Sequence, residues 1–515
     1  MKIVFLNSSD IHGYILPTDY QNQSFYEAPF GLSRVSSVIN YERQKYGEDH
    51  VVVTDTGDYL QGSPLASYIH LDKTYTALKT YTELTNQIGY DARCLGNHDF
   101  NYGLNYLSNY IAANHAPFLN ANVLNIKDDQ PALGKNYCII NKAGVRIGLI
   151  GVTTQRIPTW EPAQNVTGLK FVSAFEQVKR YAQILRPQVD VLAVIYHGGF
   201  EANPRTGKRT EPATGENEGY RILNEIPEID VFLTGHQHRK INLVMNNTAI
   251  VQPGYRGEAI GEVILEIDDA TKEILDLSAK LIDTKDFPPD TKINDLASEL
   301  NQKAQLWLDQ PLAHLKQPAL IGDSNQARLK GAPFINLLQQ MQLFFTSADI
   351  SATAVMSETA KGFGQEVTMR DILLNYPYAN QLCRVRLTGR QLRQIVEYSL
   401  SFLMKDEQGE VGFAPKWQDQ LFNFDVFYPV KYVAKIDRAV GNRLIKFELN
   451  GKAIEDEQVY RLAVNNYRAM GGGFYPAYHM DEIELTLDQD YVQMFKTFLT
   501  KGDIQVDNTI NYLFK

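Results

Sequence analysis

Histidines, aspartates and an asparagine recur just after short apolar runs in the first half of the chain, and together they offer the ligand atoms of a metal site. Imidazoles, carboxylates and an amide make a mixed nitrogen and oxygen donor set, which suits Zn, Mn, Fe or Co better than Mg or Ca. A set of this size indicates two divalent cations, and a two-metal site is typical of hydrolysis at phosphorus. The segments are Asp10-Ile-His12, Gly57-Asp58, Gly96-Asn97-His98-Asp99, His197-Gly-Gly and Gly235-His236-Gln-His238.

Each motif is weak alone, because a single histidine at a strand end is more often a hydrogen-bonded surface or core residue. The motifs in combination indicate a metal site more strongly. Asp10 and His12 lie two residues apart, so on an extended segment they project to the same side and can bind one ion. The carboxylate of Asp58 has the two oxygens needed to bridge two cations. Without a ligand, such a gathering of carboxylates and imidazoles at strand ends is costly to desolvate.

The size and charge of the chain limit the alternatives. Its 515 residues exceed one compact core, so two domains are expected. A formal net charge of −10 argues against a protein that binds nucleic-acid polymers, because such binders need a dense Lys/Arg surface to displace counterions. A small anionic ligand drawn in by cations remains compatible with this charge.

Cysteine usage and hydropathy indicate a cytoplasmic protein. Cys94, Cys138 and Cys383 are widely spaced and form no CxxC pattern, so reduced thiols are expected. Only four apolar residues precede Asn7, too few for the core of a signal peptide. No window approaches 18 consecutive apolar residues, and no membrane partner is expected.

Seven apolar runs in the first half predict strands. Because these runs are continuous rather than alternating, they suit strands buried on both faces. Five of them deliver a metal-type residue at the carboxyl end, where open α/β sheets commonly place ligands, so one crevice could collect all five segments. The runs are Ile3–Leu6, Val51–Thr54, Ala92–Leu95, Arg146–Val152, Val189–Ile195, Val231–Thr234 and Ala249–Val251.

The pattern breaks near residues 283–289, where Asp-Thr-Lys-Asp-Phe-Pro-Pro interrupts it, and Ile293–Leu315 then carries apolar residues at four-residue steps typical of a helix. We interpret this region as a linker helix. The predicted bounds are 1–285 for the first domain, 286–317 for the linker and 318–515 for the second domain. The second domain is expected to mix helices and strands, for example Gly389–Leu403, Lys431–Ile436 and Tyr460–Val464.

The ordered motifs resemble those of the calcineurin-like metallophosphoesterase superfamily, which share the order D-x-H, GD, GNHD/E, H and GHxH, and the match spans roughly residues 1–260. The resemblance implies an α/β fold, a four-layer α-β-β-α sandwich, followed here by a smaller α+β nucleotide-binding domain. It also implies two divalent cations (Mn, Zn, Co or Fe) that activate a water for in-line attack. The implied ligands are Asp10, His12, Asp58 and His238 for one cation, and Asp58, Asn97, His197 and His236 for the other.

Over nearly the whole chain the sequence more closely resembles the 5′-nucleotidase family, and within it the 2′,3′-cyclic-nucleotide 2′-phosphodiesterase/3′-nucleotidase branch. This resemblance implies a small nucleotide substrate, cyclic 2′-phosphodiesterase and 3′-nucleotidase activity, and a second domain that binds the nucleoside and rotates on the linker. The motifs that carry it are Asp58-Tyr-Leu-Gln-Gly-Ser-Pro-Leu65, Gly96-Asn-His-Asp-Phe-Asn-Tyr-Gly-Leu104, Tyr378-Ala-Asn-Gln-Leu-Cys383, Phe422-Asn-Phe-Asp-Val426 and Asn465-Asn-Tyr-Arg-Ala-Met-Gly-Gly472.

His98 is the predicted catalytic residue. It stands beside the ligand Asn97, and an imidazolium there could donate a proton to a phosphoryl oxygen or to the leaving alkoxide; the alternative is that it only supports the ligands. In 5′-nucleotidases an Asp three residues later orients this histidine, whereas this chain has Asn101, which accepts the imidazole N–H but has no negative charge. We interpret the change as a mark of the cyclic phosphodiesterase branch. Asp99 says less about the branch, because relatives often carry Glu at this position and the charge is the same.

Base recognition is expected in the second domain. The resemblance implies that Phe422 and Tyr467 sandwich the base, which suits any base because each has a π face. Most of the 29 tyrosines and 24 phenylalanines must nevertheless be core residues. A loop site is favoured here by the glycines at 471–473 and by flanking polar residues. The candidate substrate-binding residues are Phe422, Tyr467, Asn423, Asp425 and Arg468.

Two other functions stay open. A 5′-nucleotidase or nucleotide-sugar hydrolase would use the same cations and differ only in its substrate. A catalytically inactive nucleotide-binding protein would be expected to lack ligands, and none is missing from the motifs. The sequence leaves the oligomeric state open.

Overall fold

The structure, a computed structural model, describes residues 1–23, 26–378, 380–502 and 504–515. The chain divides into two compact units, Met1–Gln305 and Leu306–Lys515. One position of the 378–383 motif, Ala379, lies outside the described residues.

The linker helix is shorter than predicted. It spans Thr291–Leu308, and the chain soon continues as the strand Pro311–His314. The apolar spacing that extended the prediction to Leu315 carries on past the helix, but Pro311 has no N–H to donate and disfavours helical backbone at the residue before it. The prediction is therefore wrong beyond Leu308.

Two sheets form the centre of the first unit. The strand order along the first sheet is Ile274–Asp283, Ala259–Ile267, Lys2–Ser8, Val51–Asp55 and Ala92–Arg93. Along the second sheet it is Lys240–Met245, Thr248–Pro253, Val231–Thr234, Val191–His197, Val145–Thr153 and Tyr137–Lys142. Each of the seven predicted runs overlaps one of these strands. The strands that lead to the ligand motifs pair in parallel within each sheet, so their carboxyl ends share one edge.

The strand Val191–His197 shows why a buried strand is apolar over nearly all of its length. Ala193 and Ile195 face the other sheet and pack in the core between the sheets, which also contains Phe5 and Val52 of the first sheet. The intervening Val194 points to the opposite face. Both faces are buried, and each fully buried aliphatic side chain contributes roughly 1.5–3 kcal/mol.

Helices cover the outer faces of the two sheets. Ala174–Leu185 and Gly219–Glu225 pack on the second sheet, where Phe175 meets Phe232 in one buried cluster. Leu32–Tyr46 packs against the strands of the first sheet. The expected four-layer α-β-β-α sandwich is confirmed.

The remaining elements of the first unit are short or lie in the connections. The helices are Pro64–His70, Thr76–Ile88, Gly103–Ala113 and Ile157–Trp160, and the 3₁₀ turns are Glu48–His50, His98–Phe100, Ala163–Val166, Arg186–Gln188 and Thr284–Asp286. Val123–Asn125 and Leu169–Phe171 form a two-stranded pair.

The second unit is α+β. Its larger sheet has the order Val426–Tyr428, Ile350–Thr353, Val459–Asn465, Gln381–Thr388 and Ile483–Asp490, and its four-stranded sheet has the order Lys452–Ala453, Leu444–Leu449, Lys431–Ala434 and Tyr512–Phe514. Two-stranded pairs join Pro311–His314 with Glu366–Thr368, Ala319–Leu320 with Gly362–Phe363, and Leu403–Lys405 with Val411–Phe413. The helices are Ser324–Lys330, Pro333–Thr346, Met369–Asn375, Gly389–Leu400, Asn466–Ala469 and Tyr491–Leu499, with 3₁₀ turns at Pro415–Asn423, Gly472–Phe474 and Met480–Glu482.

The helix predicted at Gly389–Leu403 ends at Leu400. A capping box at its start, in which Thr388 and Gln391 satisfy each other's backbone N–H groups, fixes where it begins. Across the described part of the chain, none of the helices has both the length and the apolar character needed to cross a membrane.

Candidate metal centre

The predicted ligands gather where the parallel strands of the two sheets end. Three follow or close strands of the first sheet and three do so on the second, which is the edge where sheets of this kind hold ligands. His12 lies two residues beyond the first of them. In chain order they are Asp10, Asp58 and Asn97 on the first sheet, and His197, His236 and His238 on the second.

Most of these residues have a left-handed backbone, which costs non-glycine residues roughly 1 kcal/mol or more each. The expected extended segment at Asp10 and His12 is therefore wrong: both residues lie in a tight turn after the strand, and the turn rather than the strand period brings them together. Such strain clusters at functional sites. The left-handed residues are Asp10 (φ 51°), His12 (φ 50°), Asp58 (φ 58°), His236 (φ 69°) and His238 (φ 56°).

Asp10, His12 and His238 form one group that could hold a cation, with ligand atoms all within 4.8 Å of one another. The Nε2 atoms of His12 and His238 lie 3.1 Å apart, and Asp10 Oδ1 lies 3.9 Å from the first and 3.5 Å from the second. Burial lowers the pKa of His12 to about 3, so this imidazole is neutral and presents a nitrogen lone pair. Two nitrogens and a carboxylate oxygen aimed at one point suit a divalent cation.

Asp58 lies between the two halves of the centre. Its Oδ2 is 3.3 Å from Nε2 of His197 and 3.7 Å from Nε2 of His12. His197 Nε2 is also 3.1 Å from Oδ1 of Asn97. Asp58, His197 and Asp10 make the second group that could hold a cation. Although burial raises it, the neighbouring imidazole of His197 holds the pKa of Asp58 well below its usual range.

The outward ring nitrogen of each buried imidazole is bound to a carbonyl. Nδ1 of His12 lies 2.8 Å from Gln61 O, and Nδ1 of His197 lies 2.7 Å from Thr56 O. A carbonyl only accepts, so each Nδ1 carries the hydrogen and each Nε2 faces the centre. Metal-binding histidines are commonly oriented this way.

His236 is turned differently from the other ligands. Its Nε2 lies 3.1 Å from Oε1 of Glu216, so the ring nitrogen left for a cation is Nδ1. Its backbone N–H donates to both carboxylate oxygens of Asp10, at 3.2 and 3.1 Å, and Trp160 stacks on its ring at 5.7 Å between centroids. The geometric groups described above do not include this histidine. Sequence reasoning missed Glu216, which lies in an irregular loop with no motif.

Taken together, these donors fit a pair of divalent cations. Two buried carboxylates need positive charge nearby, and Nε2 of His12 and Nε2 of His197 both face them. The set is mixed nitrogen and oxygen, which distinguishes it from the all-oxygen sites of Mg and Ca.

Asp99 holds the motif loops in place, a role the sequence did not predict. It is buried, and its carboxylate accepts backbone N–H groups from Asp58, Tyr59, Leu60 and Gly96 at 2.8–3.1 Å. Burial raises its pKa, while these hydrogen bonds oppose the rise. Its place in the Gly-Asn-His-Asp motif was the available signal.

His98 lies beside the centre and is paired as predicted with Asn101. Its Nδ1 is 2.8 Å from Asn101 Oδ1, its backbone N–H donates to Asp58 Oδ1 at 2.7 Å, and its ring centroid is 5.2 Å from that of His12. The structure adds Glu161, which the sequence did not single out. This buried carboxylate accepts a hydrogen bond from the Asn101 side-chain amide.

In the second unit the predicted substrate residues separate into two kinds. Asp425 and Arg468 form a buried ion pair with contacts of 2.8 and 3.1 Å, and Arg468 also donates to Oδ1 of Asn423 at 3.1 Å and to Gly472 O. These three polar side chains are thus committed to one another. Phe422 is 37% exposed and Tyr467 is half-buried, with Gly472 close against its ring. Substrate binding by all five stays a prediction.

Comparisons with known proteins agree with this fold and site. Residues 3–240 match the calcineurin-like phosphoesterase family, and residues 311–480 match the 5′-nucleotidase C-terminal domain. A Staphylococcus aureus protein provisionally called a 5′-nucleotidase, solved in complex with alpha-ketoglutarate, is 33% identical over 100% of both chains, with a TM-score of 0.90.

Two curated relatives bear different activities in their names. The 2′,3′-cyclic-nucleotide 2′-phosphodiesterase/3′-nucleotidase of Salmonella typhimurium is 26% identical, covering 91% of this chain and 81% of that protein. The 5′-nucleotidase of Vibrio vulnificus is 23% identical, covering 92% and 86%.

A four-layer sandwich with paired Asp/His groups at its strand ends defines a metal-dependent phosphoesterase. With the second unit and the full-length similarity added, the chain belongs to the 5′-nucleotidase family of calcineurin-like metallophosphoesterases.

Proposed function

We propose that the protein hydrolyses nucleoside 2′,3′-cyclic phosphates at the 2′ ester and then converts the 3′-monophosphate to nucleoside and phosphate. The observation that carries the proposal is the pair His98–Asn101, in which an asparagine takes the place that an aspartate has in 5′-nucleotidases. The full-length similarity to the Salmonella typhimurium enzyme supports the same branch.

Two divalent cations would be held by residues of the first unit. Their identity among Mn, Zn, Co and Fe is left open by the donor set. When bound, such a pair neutralises the phosphoryl oxygens and lowers the pKa of a water. The proposed ligands are Asp10, His12, Asp58 and His238 on one side, and Asp58, Asn97, His197 and His236 on the other.

His98 supplies the proton in this proposal. Because Asn101 Oδ1 accepts the hydrogen on Nδ1, Nε2 is the nitrogen that can serve the substrate. In the first reaction oxygen from water bonds to phosphorus, the P–O2′ bond breaks, and O2′ takes the proton from Nε2 of the His98 imidazolium. The proton that the water loses passes to solvent, and Nε2 takes up a proton again before the second reaction. In the second reaction the P–O3′ bond breaks in the same way. Both leaving groups are alkoxides, which need this proton, and positioned acids typically contribute 10²–10⁴-fold.

The second unit is proposed to bind the nucleoside. The exposed ring of Phe422 and the half-buried ring of Tyr467 supply π surfaces for stacking on a base. The buried side chains of Asn423, Asp425 and Arg468 hold the backbone next to these rings in place. Arg468 donates to the carbonyl of Gly472, and Gly472 lies against the Tyr467 ring.

The test is a comparison of initial rates on 2′,3′-cyclic AMP, 3′-AMP and 5′-AMP with protein reconstituted in Mn or Zn. We expect the cyclic and 3′ substrates to dominate, with 3′-AMP appearing as an intermediate from the cyclic one. A dominant rate on 5′-AMP would favour instead the activity that names the Vibrio vulnificus relative. No turnover on any of the three would favour a nucleotide-binding protein without activity.

Asp58→Asn is the matched inactive control for that panel. It keeps the shape of the side chain but removes the charge shared by both halves of the centre. Turnover and stoichiometric metal should be lost together. Retained turnover would place the chemistry elsewhere in the chain.

A further inference from the structure

We propose that Glu161 is a positioning residue for His98: acting through Asn101, it fixes the tautomer of His98 and supplies the negative charge that the asparagine lacks. The inference rests on the proposed function for the role of His98. It adds a residue 63 positions away in sequence that no motif marks.

The contacts run in one direction from the carboxylate to the imidazole. Nδ2 of Asn101 donates to Glu161 Oε1, and Nδ1 of His98 lies 2.8 Å from Asn101 Oδ1. A carboxylate accepts only, so it must face the amide nitrogen of Asn101, which turns the amide oxygen toward His98. The imidazole then has to carry its hydrogen on Nδ1. Glu161 thereby selects the tautomer that leaves Nε2 for the substrate.

Glu161 is itself held rigidly. Nδ2 of Asn165 donates to Glu161 Oε2 at 3.0 Å and also to the Asn101 backbone carbonyl at 3.0 Å. The Glu161 side chain is only 6% exposed, so water competes little for its oxygens. Two amide donors, one on each oxygen, are the surroundings that a buried carboxylate needs.

The turn that carries Glu161 also reaches the other side of the centre. Trp160, the preceding residue, stacks on His236. Ile157–Trp160 is one short helical turn, and the Glu161 N–H donates to Ile157 O at its end. The turn at residues 157–161 therefore contacts both a proposed ligand, His236, and the Asn101 partner of the proposed acid. These contacts fix the position of Glu161.

The test transfers the carboxylate from position 161 to position 101, directly beside His98. Glu161→Gln removes the charge, and Asn101→Asp alone sets two carboxylates against each other. In the double variant N101D/E161Q the glutamine amide donates to the new aspartate, which accepts from His98 Nδ1, while Asn165 donates to the glutamine oxygen. The hydrogen-bond polarity is restored with the charge beside the imidazole.

We expect each single variant to lose about tenfold or more in kcat with KM nearly unchanged, because the proton donor and not substrate binding is affected. The double variant should recover to within about threefold of the wild-type kcat. The kinetics are measured as pH profiles that cross the pKa of Glu161, which burial raises to about 7. Glu176→Gln, the same substitution at an exposed carboxylate of the same unit, is the control.

Wild-type kcat in E161Q, or a double variant no better than the worse single variant, would overturn the inference. Melting temperature and metal content are recorded for every variant. If E161Q does not fold, N101D against N101D/E161Q decides the question alone. The series is run on 3′-AMP and on glycerol 2-phosphate, whose alkoxide leaving group also needs a proton. Activity on glycerol 2-phosphate but on no nucleotide would refute the proposed function and still decide the role of Glu161.

Discussion

Four of the five imidazoles at the centre are oriented by the group bound to the other ring nitrogen. Carbonyls hold His12 and His197, an amide holds His98, and a carboxylate holds His236. The partner decides which nitrogen faces inward and how basic it is. Glu216 is the only charged partner among these four contacts, and a carboxylate partner strengthens an imidazole as a metal ligand.

Glu216→Gln should therefore weaken one of the two cations selectively. We expect the affinity of the cation proposed to involve His236 to fall about 10–100-fold, with the other cation little changed. Titration calorimetry with Mn or Zn on metal-free protein would measure both affinities. Glu225→Gln is the matched control, because the exposed carboxylate of Glu225 pairs with Arg221 rather than with His236. Equal losses in the two variants would contradict this role of Glu216.

At this scale the sequence predicted the residues that carry motifs and missed those that support them. His98 and Asn101 lie in one motif, three residues apart, and their contact follows from that spacing. Glu161 and Glu216 reach the centre from loops without recurring residue types, so only the folded chain brings them there. The same limit applies to Asp425 and Arg468, whose mutual ion pair is a contact over 43 residues.

Two of the loops that position these side chains pack so closely against each other that only glycine fits where they meet, at Gly57 and Gly96. A Cβ on Gly96 would lie 2.1 Å from Asp58 Oδ1 and 2.4 Å from its nitrogen, and a Cβ on Gly57 would lie 2.3 Å from Gly96 N. Contacts under 3 Å require the backbone to move. The Gly-Asp and Gly-Asn-His-Asp loops thus fix each other, and the position of the Asp58 carboxylate depends on that contact.

Gly96→Ala should displace Asp58 and lower kcat at least about a hundredfold, since a shift near 1 Å at a reacting group costs that much. We expect metal stoichiometry to fall with it. Gly412→Ala serves as control, because its Cβ would meet nothing within 4 Å. Assay and metal analysis of both variants check the prediction, and an active, fully loaded G96A protein would show that the loops do not fix each other.

The strands were predictable where the loops were not. Buried strands such as Val191–His197 are apolar up to the ligand at their end because each face packs on a different core, and this leaves a clear signal in the sequence. The left-handed turn at Asp10 and His12 leaves none, because the turn is imposed by tertiary contacts such as Asp10 N–H to Gly57 O. The predicted linker helix extended too far for a local reason, because Pro311 prevents the helix from continuing.

The two compact units differ in how the charge of their buried carboxylates is compensated. The first unit gathers buried carboxylates that need cations. The second buries the pair Asp425–Arg468, 2% exposed on each side chain, with no cation required. Removing one member of such a pair leaves an uncompensated buried charge, which costs about 3–5 kcal/mol.

Calorimetry should therefore separate the two units. A divalent cation at a hundred times its Kd should stabilise the first unit by about 2.7 kcal/mol and leave the second unchanged. Asp425→Asn should destabilise the second unit by about 3–5 kcal/mol without changing the metal-dependent transition. Asp456→Asn, which breaks the exposed pair with Arg393, should cost at most about 1 kcal/mol. Heat capacity scans with and without cation test all three, and a single transition shifted equally by the cation and by D425N would show that the units unfold as one.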